Sequence, residues 1–414
     1  MGELTYVIAG GGVAGVSAAE SLRGEGFDGR IVVIGDETEA PYERPPLSKA
    51  LLRGELEPAS VALRAPAFYE KNEIELHRDR RVLELDLSNR SVRCTNGQEI
   101  RFDKLLIATG ASPRRLGVPG ELLGGIHYLR TLEDALGLRA KLSSHPRVLV
   151  VGTGFIGCEV AASARQIGCE VTLAGPSLPM EHGLGKEIAE LYADRHLAYG
   201  VSLRVGLTVT EFRGSRTVEA VRLSEGSELA CDIAVVRVGV TPAIGWLGSQ
   251  VAVSDGVDTD ELCRTTARGI FAAGDVACSW RPRLKRRVRL EHFDNAESQG
   301  AAAGRAMHGN TRPYDPIPFF WSDQYDISLQ YFGFARNWDR VVLRRHAGDD
   351  SLIAFYLKDE CVEAACLLNR SQDANVVKRL IGGTGVSDAA LADDTKPLKS
   401  LIPVAEYVHT WNTP

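Results

Sequence analysis

The pattern G-x-G-x-x-G occurs twice in this chain, each time between an apolar strand-like run and a helix-like run. That repetition restricts the fold more than any other feature. In the first copy, residues 4–9 (LTYVIA) read as a buried parallel strand and lead straight into Gly10, Gly12 and Gly15. An alanine-rich helical stretch follows, then a strand at Arg30–Ile34 and the acids Asp36 and Glu37. Strand, glycine turn, helix, strand and acid in that order form a dinucleotide-binding unit. The first glycine permits a tight turn and the second lets backbone N–H groups approach a diphosphate. The third brings the helix close to the strand, so that the helix N-terminus faces the phosphate charge. The acid can accept hydrogen bonds from ribose hydroxyls. The second copy runs from a strand at Arg147–Val151 through Gly152, Gly154, Phe155, Ile156 and Gly157. A helix at 158–167 and a strand at 170–173 follow. One such loop can be a purely structural turn. Two in the same frame predict an α/β chain with two Rossmann-like dinucleotide-binding domains.

The length of 414 residues exceeds one ordinary core and leaves room for a further domain. A net charge of −6 gives no general case for binding nucleic acid or an anionic membrane. No apolar run reaches the length of a membrane span. The first residues lack a basic n-region and cleavage site, so a cytoplasmic enzyme is expected. Eight cysteines are scattered through strand-like and helix-like segments and read as buried thiols rather than disulfides.

Two further segments say which fold does what. One is a strand ending in Ala108-Thr109-Gly110; the other ends in Gly274-Asp275, which can present a carboxylate to a ribityl hydroxyl. With both glycine loops they resemble the two-dinucleotide, glutathione-reductase-like flavoproteins. The resemblance implies an FAD-binding domain from 1–115 and 245–317, an NAD(P)H-binding domain at 116–244, and an α/β C-terminal interface domain at 318–414. Strands are expected there at 327–334, 339–345, 352–358 and 361–368. The cysteine pairs of the disulfide-reducing branches are missing; Cys361 and Cys366 stand far from either flavin-side position, so no dithiol relay is expected.

Pro45-Pro46-Leu47-Ser48-Lys49 resembles the FAD-dependent ferredoxin reductases that serve Rieske oxygenases and cytochrome monooxygenases. Val238-Gly239-Val240-Thr241-Pro242 and Glu291-His292-Phe293-Asp294-Asn295-Ala296 carry the same likeness, as does the stretch from Pro318 to Tyr325 that contains Trp321. Pro397-Leu398-Lys399-Ser400-Leu401 extends it almost to the end. The resemblance implies FAD contacts at Gly10, Gly12, Ala14, Gly15, Asp36, Arg44, Pro46, Lys49, Val82, Ala108, Thr109, Gly110 and Arg130. It adds Gly274, Asp275, Glu291, His292, Phe293, Ala296 and Trp321. NAD(P)H contacts are implied at Gly152, Gly154, Phe155, Ile156, Gly157, Glu159, Gly175 and Gly239. Lys49, Glu159 and Trp321 are the implied catalytic groups: Lys49 beside the flavin and paired with Glu159, Trp321 at the flavin edge facing the partner. Without the likeness, Glu159 reads as an ordinary helix residue and Trp321 as a core aromatic.

The implied partner is a [2Fe–2S] ferredoxin. Arg281, Arg283, Lys285, Arg286, Arg287 and Arg289 form a basic run in an otherwise acidic chain. Ferredoxins are typically acidic, so Arg283, Lys285 and Arg287 are expected to dock one. The run has no interleaved aromatics, which disfavours nucleic acid. One position departs from the pattern: Gly175 stands where an acid for the NADH ribose is expected, and no base follows until Lys186. NADH is expected by family habit, with NADPH as the alternative. A monomer or homodimer fits equally. Rubredoxin reductase, an oxidase without a protein partner, and an apoptosis-inducing-factor-like redox sensor are the rival readings.

Overall fold

The computed structural model describes residues 3–348 and 350–402. The chain gathers into two compact units, one of Met1–Ser177 with His196–Pro316 and one of Leu178–Arg195 with Ile317–Pro414.

The first unit contains two parallel five-stranded sheets of the same design. One has the order Ile270–Ala272, Lys104–Ile107, Thr5–Ala9, Arg30–Ile34, Ile74–His77. The other runs Ser202–Val205, Glu170–Gly175, Arg147–Val151, Ile233–Val236, Ile126–His127. Their central strands, TYVIA and RVLVV, are buried at every residue after the first, as strands covered on both faces are. In each sheet the chain builds outward from the central strand, then reverses to its other side. That reversal opens a ligand crevice at the carboxyl ends of the strands. The chain leaves the first sheet through Ala111–Pro113 and returns through Val240–Pro242, and these two segments pair antiparallel.

The first sheet is covered by the helices Val13–Gly24 and Phe293–His308, although 268 residues separate their nearest ends (25–292). They meet along small residues. A methyl group added at Gly300 would lie 2.2 Å from the Ala14 carbonyl oxygen, and one at Gly304 2.4 Å from that of Ala18. The two backbones are therefore in direct contact.

The second unit is a five-stranded antiparallel sheet in the order Phe319–Gln324, Ile327–Gly333, Cys361–Leu368, Leu352–Lys358, Arg340–Arg345. Arg344, 1% exposed, is paired with Asp394 at 3.1 Å and donates to the Leu391 carbonyl at 3.2 Å, fastening the segment after the sheet. Leu178–Arg195 lies inside the range expected for the NAD(P)H domain, yet it groups with this unit. Tyr356 Oη donates to the Leu184 carbonyl at 2.8 Å, and Arg195 pairs with Asp326 and Asp350.

All eight cysteines are free, and all but the half-buried Cys361 are buried. Among the described residues no helix is long and apolar enough to cross a membrane.

One half-buried histidine sets a pH dependence. Burial, reinforced by the charge of Lys141 3.2 Å from its Nε2, lowers the pKa of His127 to about 4. Below the unfolded value near 6.5, the unfolded chain takes up a proton that the folded chain refuses until about pH 4. Stability therefore falls as pH drops through that window. In His127→Asn, the slope of unfolding free energy against pH between 6.5 and 4 should be smaller by up to about 1.4 kcal/mol per unit. Urea unfolding of the flavin-loaded protein at several pH values reads this; an unchanged slope would mean His127 titrates alike in both states.

Candidate functional site

Both glycine loops solve the same steric problem with the same contacts. Gly10 and Gly152 have φ of +129° and +115°, which an L side chain rarely adopts. A side chain at Gly10 would also strike the Ala108 carbonyl at 2.0 Å, and one at Gly152 the Arg237 carbonyl at 2.2 Å. At Gly15 and Gly157 it would strike the carbonyl of Gly10 or Gly152, in each case at 2.0 Å. Gly12 and Gly154, by contrast, face open space. They are the N-caps of helices Val13–Gly24 and Phe155–Ile167, and neither carries a side-chain cap. Each helix therefore offers backbone donors and its positive dipole end to open space, as a bound diphosphate requires. The residues present fit two dinucleotides.

Around the first loop a set of charged groups is already organised. Arg130 pairs with Asp275 at 3.0 Å. Arg44 donates to the Arg130 carbonyl at 2.5 Å and to Glu37 at 2.6 Å. Tyr42 donates to the other Glu37 oxygen and accepts from the Leu132 N–H at 2.8 Å. The acid at the end of the second strand thus works as a pair. Glu37 anchors Arg44, while Asp36 is exposed. Gly110, at φ +66°, lies close against Arg130, and Thr109 donates to the Ala243 carbonyl at 2.8 Å. Gly274 donates to Gln299 at 3.0 Å and abuts Ala14 and Ala296. Val82 is buried at the start of its strand.

Glu291 accepts from Arg289 at 2.6 Å. His292 is the N-cap of helix Phe293–His308, and burial lowers its pKa to about 4, so the ring is neutral at physiological pH. Phe293, the first residue of that helix, packs against the core of the first sheet.

An ion pair links the loop after the first fold's second strand to the second fold's phosphate-loop helix. Pro45–Ser48 forms a single tight helical turn, started by two prolines whose fixed φ suits its first positions. It delivers Lys49, whose Nζ donates to Glu159 Oε2 at 2.9 Å. Glu159, on helix Phe155–Ile167, is 2% exposed. Ser48 Oγ donates to the same oxygen, and Ser163, one turn along that helix, donates to the Ser48 carbonyl at 2.7 Å. Ser48 and Ser163 were not anticipated. Ser48 lies within the Pro45–Lys49 motif, whereas nothing in the sequence singles out Ser163.

Gly175 ends its strand tightly covered: an added methyl would lie 2.8 Å from both Oγ1 and Cγ2 of Thr153. Thr153 fills the place an acid at 175 would need. Gly239, at φ +102°, faces open space. Trp321 lies in the second unit, half-buried on strand Phe319–Gln324 and stacked on Phe319 at 5.9 Å.

The basic run folds as a hairpin of Ala277–Arg281 and Arg286–Arg289. Its six charges are not equivalent. Arg281 is buried, donating to Asn295 at 2.5 Å with its guanidinium 4.3 Å from the Tyr314 ring centre. Arg289 is held by Asp255 and Glu291. Arg283, Lys285, Arg286 and Arg287 are exposed.

Residues 4–300 match the family described as pyridine nucleotide-disulphide oxidoreductase, and residues 319–402 match the reductase C-terminal family. The ferredoxin–NAD(+) reductase component of the p-cumate 2,3-dioxygenase system of Pseudomonas putida is 36% identical over 95% of this chain and 97% of its own. The corresponding component of the biphenyl dioxygenase system of Paraburkholderia xenovorans is 34% identical over 96% and 98%. Among solved structures, the covalent putidaredoxin reductase–putidaredoxin complex superposes with a TM-score of 0.92 at 33% identity, covering 96% of this chain and 98% of that one.

Proposed function

Because the chain belongs to the pyridine nucleotide-disulphide oxidoreductase family and carries its reductase C-terminal domain, we propose that it is an FAD-dependent NAD(P)H:ferredoxin oxidoreductase. It takes a hydride from NADH or NADPH and passes single electrons to a [2Fe–2S] ferredoxin that feeds a monooxygenase or Rieske dioxygenase in the cytoplasm. The observation that carries this reading is the Lys49–Glu159 pair, which joins a turn of one dinucleotide fold to the phosphate-loop helix of the other.

Bound FAD supplies the conversion between a two-electron hydride and single electrons. The chain supplies the rest. Residues 1–115 and 245–317 hold FAD, 116–244 hold the nicotinamide dinucleotide, and the remainder forms the interface domain. Gly12 and Gly154 open their helix ends to the two diphosphates. Arg130 and Asp275 hold the FAD side. Lys49 keeps a positive charge at the seam of the two folds, where negative charge develops during hydride transfer, and Glu159 and Ser48 orient it. The family likeness gives Trp321 the partner-facing role. With Gly175 in place of an acid, nothing at that position repels a 2′-phosphate, so NADPH is used beside NADH.

Stopped-flow reduction with oxygen excluded, first by NADH and NADPH and then with a [2Fe–2S] ferredoxin, tests the reading. Rapid flavin bleaching followed by cluster reduction is expected. Bleaching without transfer to any ferredoxin points to an oxidase, and slow bleaching by both nucleotides points to a redox sensor.

The partner docks on the exposed part of the basic hairpin. Neutralising Arg283, Lys285 and Arg287 together to Gln should raise KM for the ferredoxin about tenfold or more at low salt and flatten its salt dependence. Reduction of ferricyanide by NADH should not change. A triple variant with unaltered ferredoxin KM and salt dependence moves docking elsewhere.

A further inference from the structure

One half-buried cation near the seam has two enclosed donors that meet no acceptor among the described residues. Arg237 follows strand Ile233–Val236, next to the central strand Arg147–Val151, at the point where the second sheet reverses direction. Its backbone touches the phosphate loop: its N–H donates to Val151 at 2.7 Å, and its carbonyl is the group that Gly152 must avoid. The first fold has the same arrangement, with Ala108 against Gly10 and with Thr109-Gly110 where the second has Val238-Gly239. One fold thus places a methyl group at this position and the other a guanidinium.

Nε and Nη1 of Arg237 are shut off from solvent and meet no hydrogen-bond partner among the described residues. The charged groups that act on it are Arg130, Glu291, Glu159 and Asp134. Each of these carboxylates is committed. Glu159 holds Lys49 and Ser48, Glu291 holds Arg289, and Asp134 accepts the N–H groups of Arg130 and Thr131. Burial, with the charge of Arg130 added, brings the guanidinium pKa down to about 10, so it remains charged at neutral pH. Buried donors on a cation without an acceptor are costly unless a ligand completes them. The ligand must bring negative oxygens to the carboxyl end of this sheet, beside the open N-terminus at Gly154.

We propose that Arg237 donates to the diphosphate of the bound nicotinamide dinucleotide, a charged contact for which the FAD-binding fold has no counterpart at Ala108. The inference rests on the second fold being the nicotinamide site. In that role Arg237 tightens NADH and NADPH alike, because both carry the diphosphate, and it does not discriminate at the 2′ position.

The test is calorimetric titration of the oxidised, flavin-loaded protein with NAD+ and with ADP-ribose, which keeps the diphosphate but lacks the nicotinamide. Arg237→Gln should weaken both by a similar factor, about ten- to a hundredfold, as loss of a charge-assisted hydrogen bond implies. Arg237→Lys, which keeps the charge, should recover a large part of the ADP-ribose affinity. In Arg237→Met the unliganded protein should melt at or above the wild-type temperature, because a charge with enclosed donors that meet no acceptor has been removed. If ADP-ribose binds Arg237→Gln as it binds wild type, the inference is overturned, whether or not NAD+ is weakened. A Lys variant no better than Gln overturns it too. Wild-type protein that bound neither nucleotide would remove the functional reading and this inference together; wild-type binding with an indifferent variant removes the inference alone.

Discussion

Lys49→Met is expected to slow flavin reduction by NADH roughly 10²- to 10³-fold, the usual effect of removing one fixed electrostatic group from a reacting centre. Flavin content should be nearly normal, since Lys49 lies on the seam rather than in the phosphate loops. A second effect accompanies the first. Glu159 is 2% exposed, and Lys49 holds it in an ion pair at 2.9 Å. Removing that cation from a buried carboxylate costs about 3–5 kcal/mol in comparable buried pairs. Adding Glu159→Leu should return much of the stability without returning the rate. Anaerobic stopped-flow and thermal unfolding, run on both single variants and the double variant, separate the two effects. If rate and stability recover together in the double variant, the pair is only a strut between the folds.

Gly300→Ala should yield a protein with much reduced flavin occupancy and a loss of about 3 kcal/mol or more, at or beyond the upper end for overpacking. The extra carbon would meet the O, Cα and C atoms of Ala14 at 2.2, 2.7 and 2.8 Å, all of them backbone or fixed to it. No rotamer change relieves this. The helix behind the phosphate loop must move, and with it the donors at Gly12. Gly137→Ala is the matched control, because Gly137 sits in helix Leu132–Leu142 with nothing within 4 Å of an added methyl. There the change should be neutral or stabilise by about 0.5–1 kcal/mol, as alanine does in helices. Bound flavin per chain and the unfolding midpoint report both outcomes.

Much of the fold can be read from local patterns. The glycine loops mark both parallel sheets because the turn, the helix and the strand are contiguous in sequence. Four of the five strands in the C-terminal sheet coincide within a residue or two with apolar runs, since buried strands announce themselves that way. The Lys49–Glu159 contact bridges 110 positions and was reached through family likeness, not through spacing. Features set by tertiary contact were hidden. Leu178–Arg195 resembles any segment of an α/β fold, and only its contacts assign it to the other unit. Arg281 looked like one member of a solvated charge run, but Tyr314 and Asn295 enclose it. Glu37, beside the expected Asp36, proved to be the acid that anchors Arg44. Arg237 is distinguished by its place beside Gly152, where the first fold has Ala108 beside Gly10.

The contact of Gly300 and Gly304 with Ala14 and Ala18 has a consequence for synthesis on the ribosome. Strands and helices from residues 5–107 emerge first, yet their sheet lacks its Ile270–Ala272 edge and its Phe293–His308 cover until about 300 residues have been made. The roughly 200 residues made in between take about 10–40 s at about 5–20 residues per second. Throughout that interval, the small-residue face of the first helix is bare, and the sheet spanning 126–236 is completed before it ends. The inserted fold therefore matures first. The earliest part of the chain waits for the latest, and flavin capture becomes a closing event of translation.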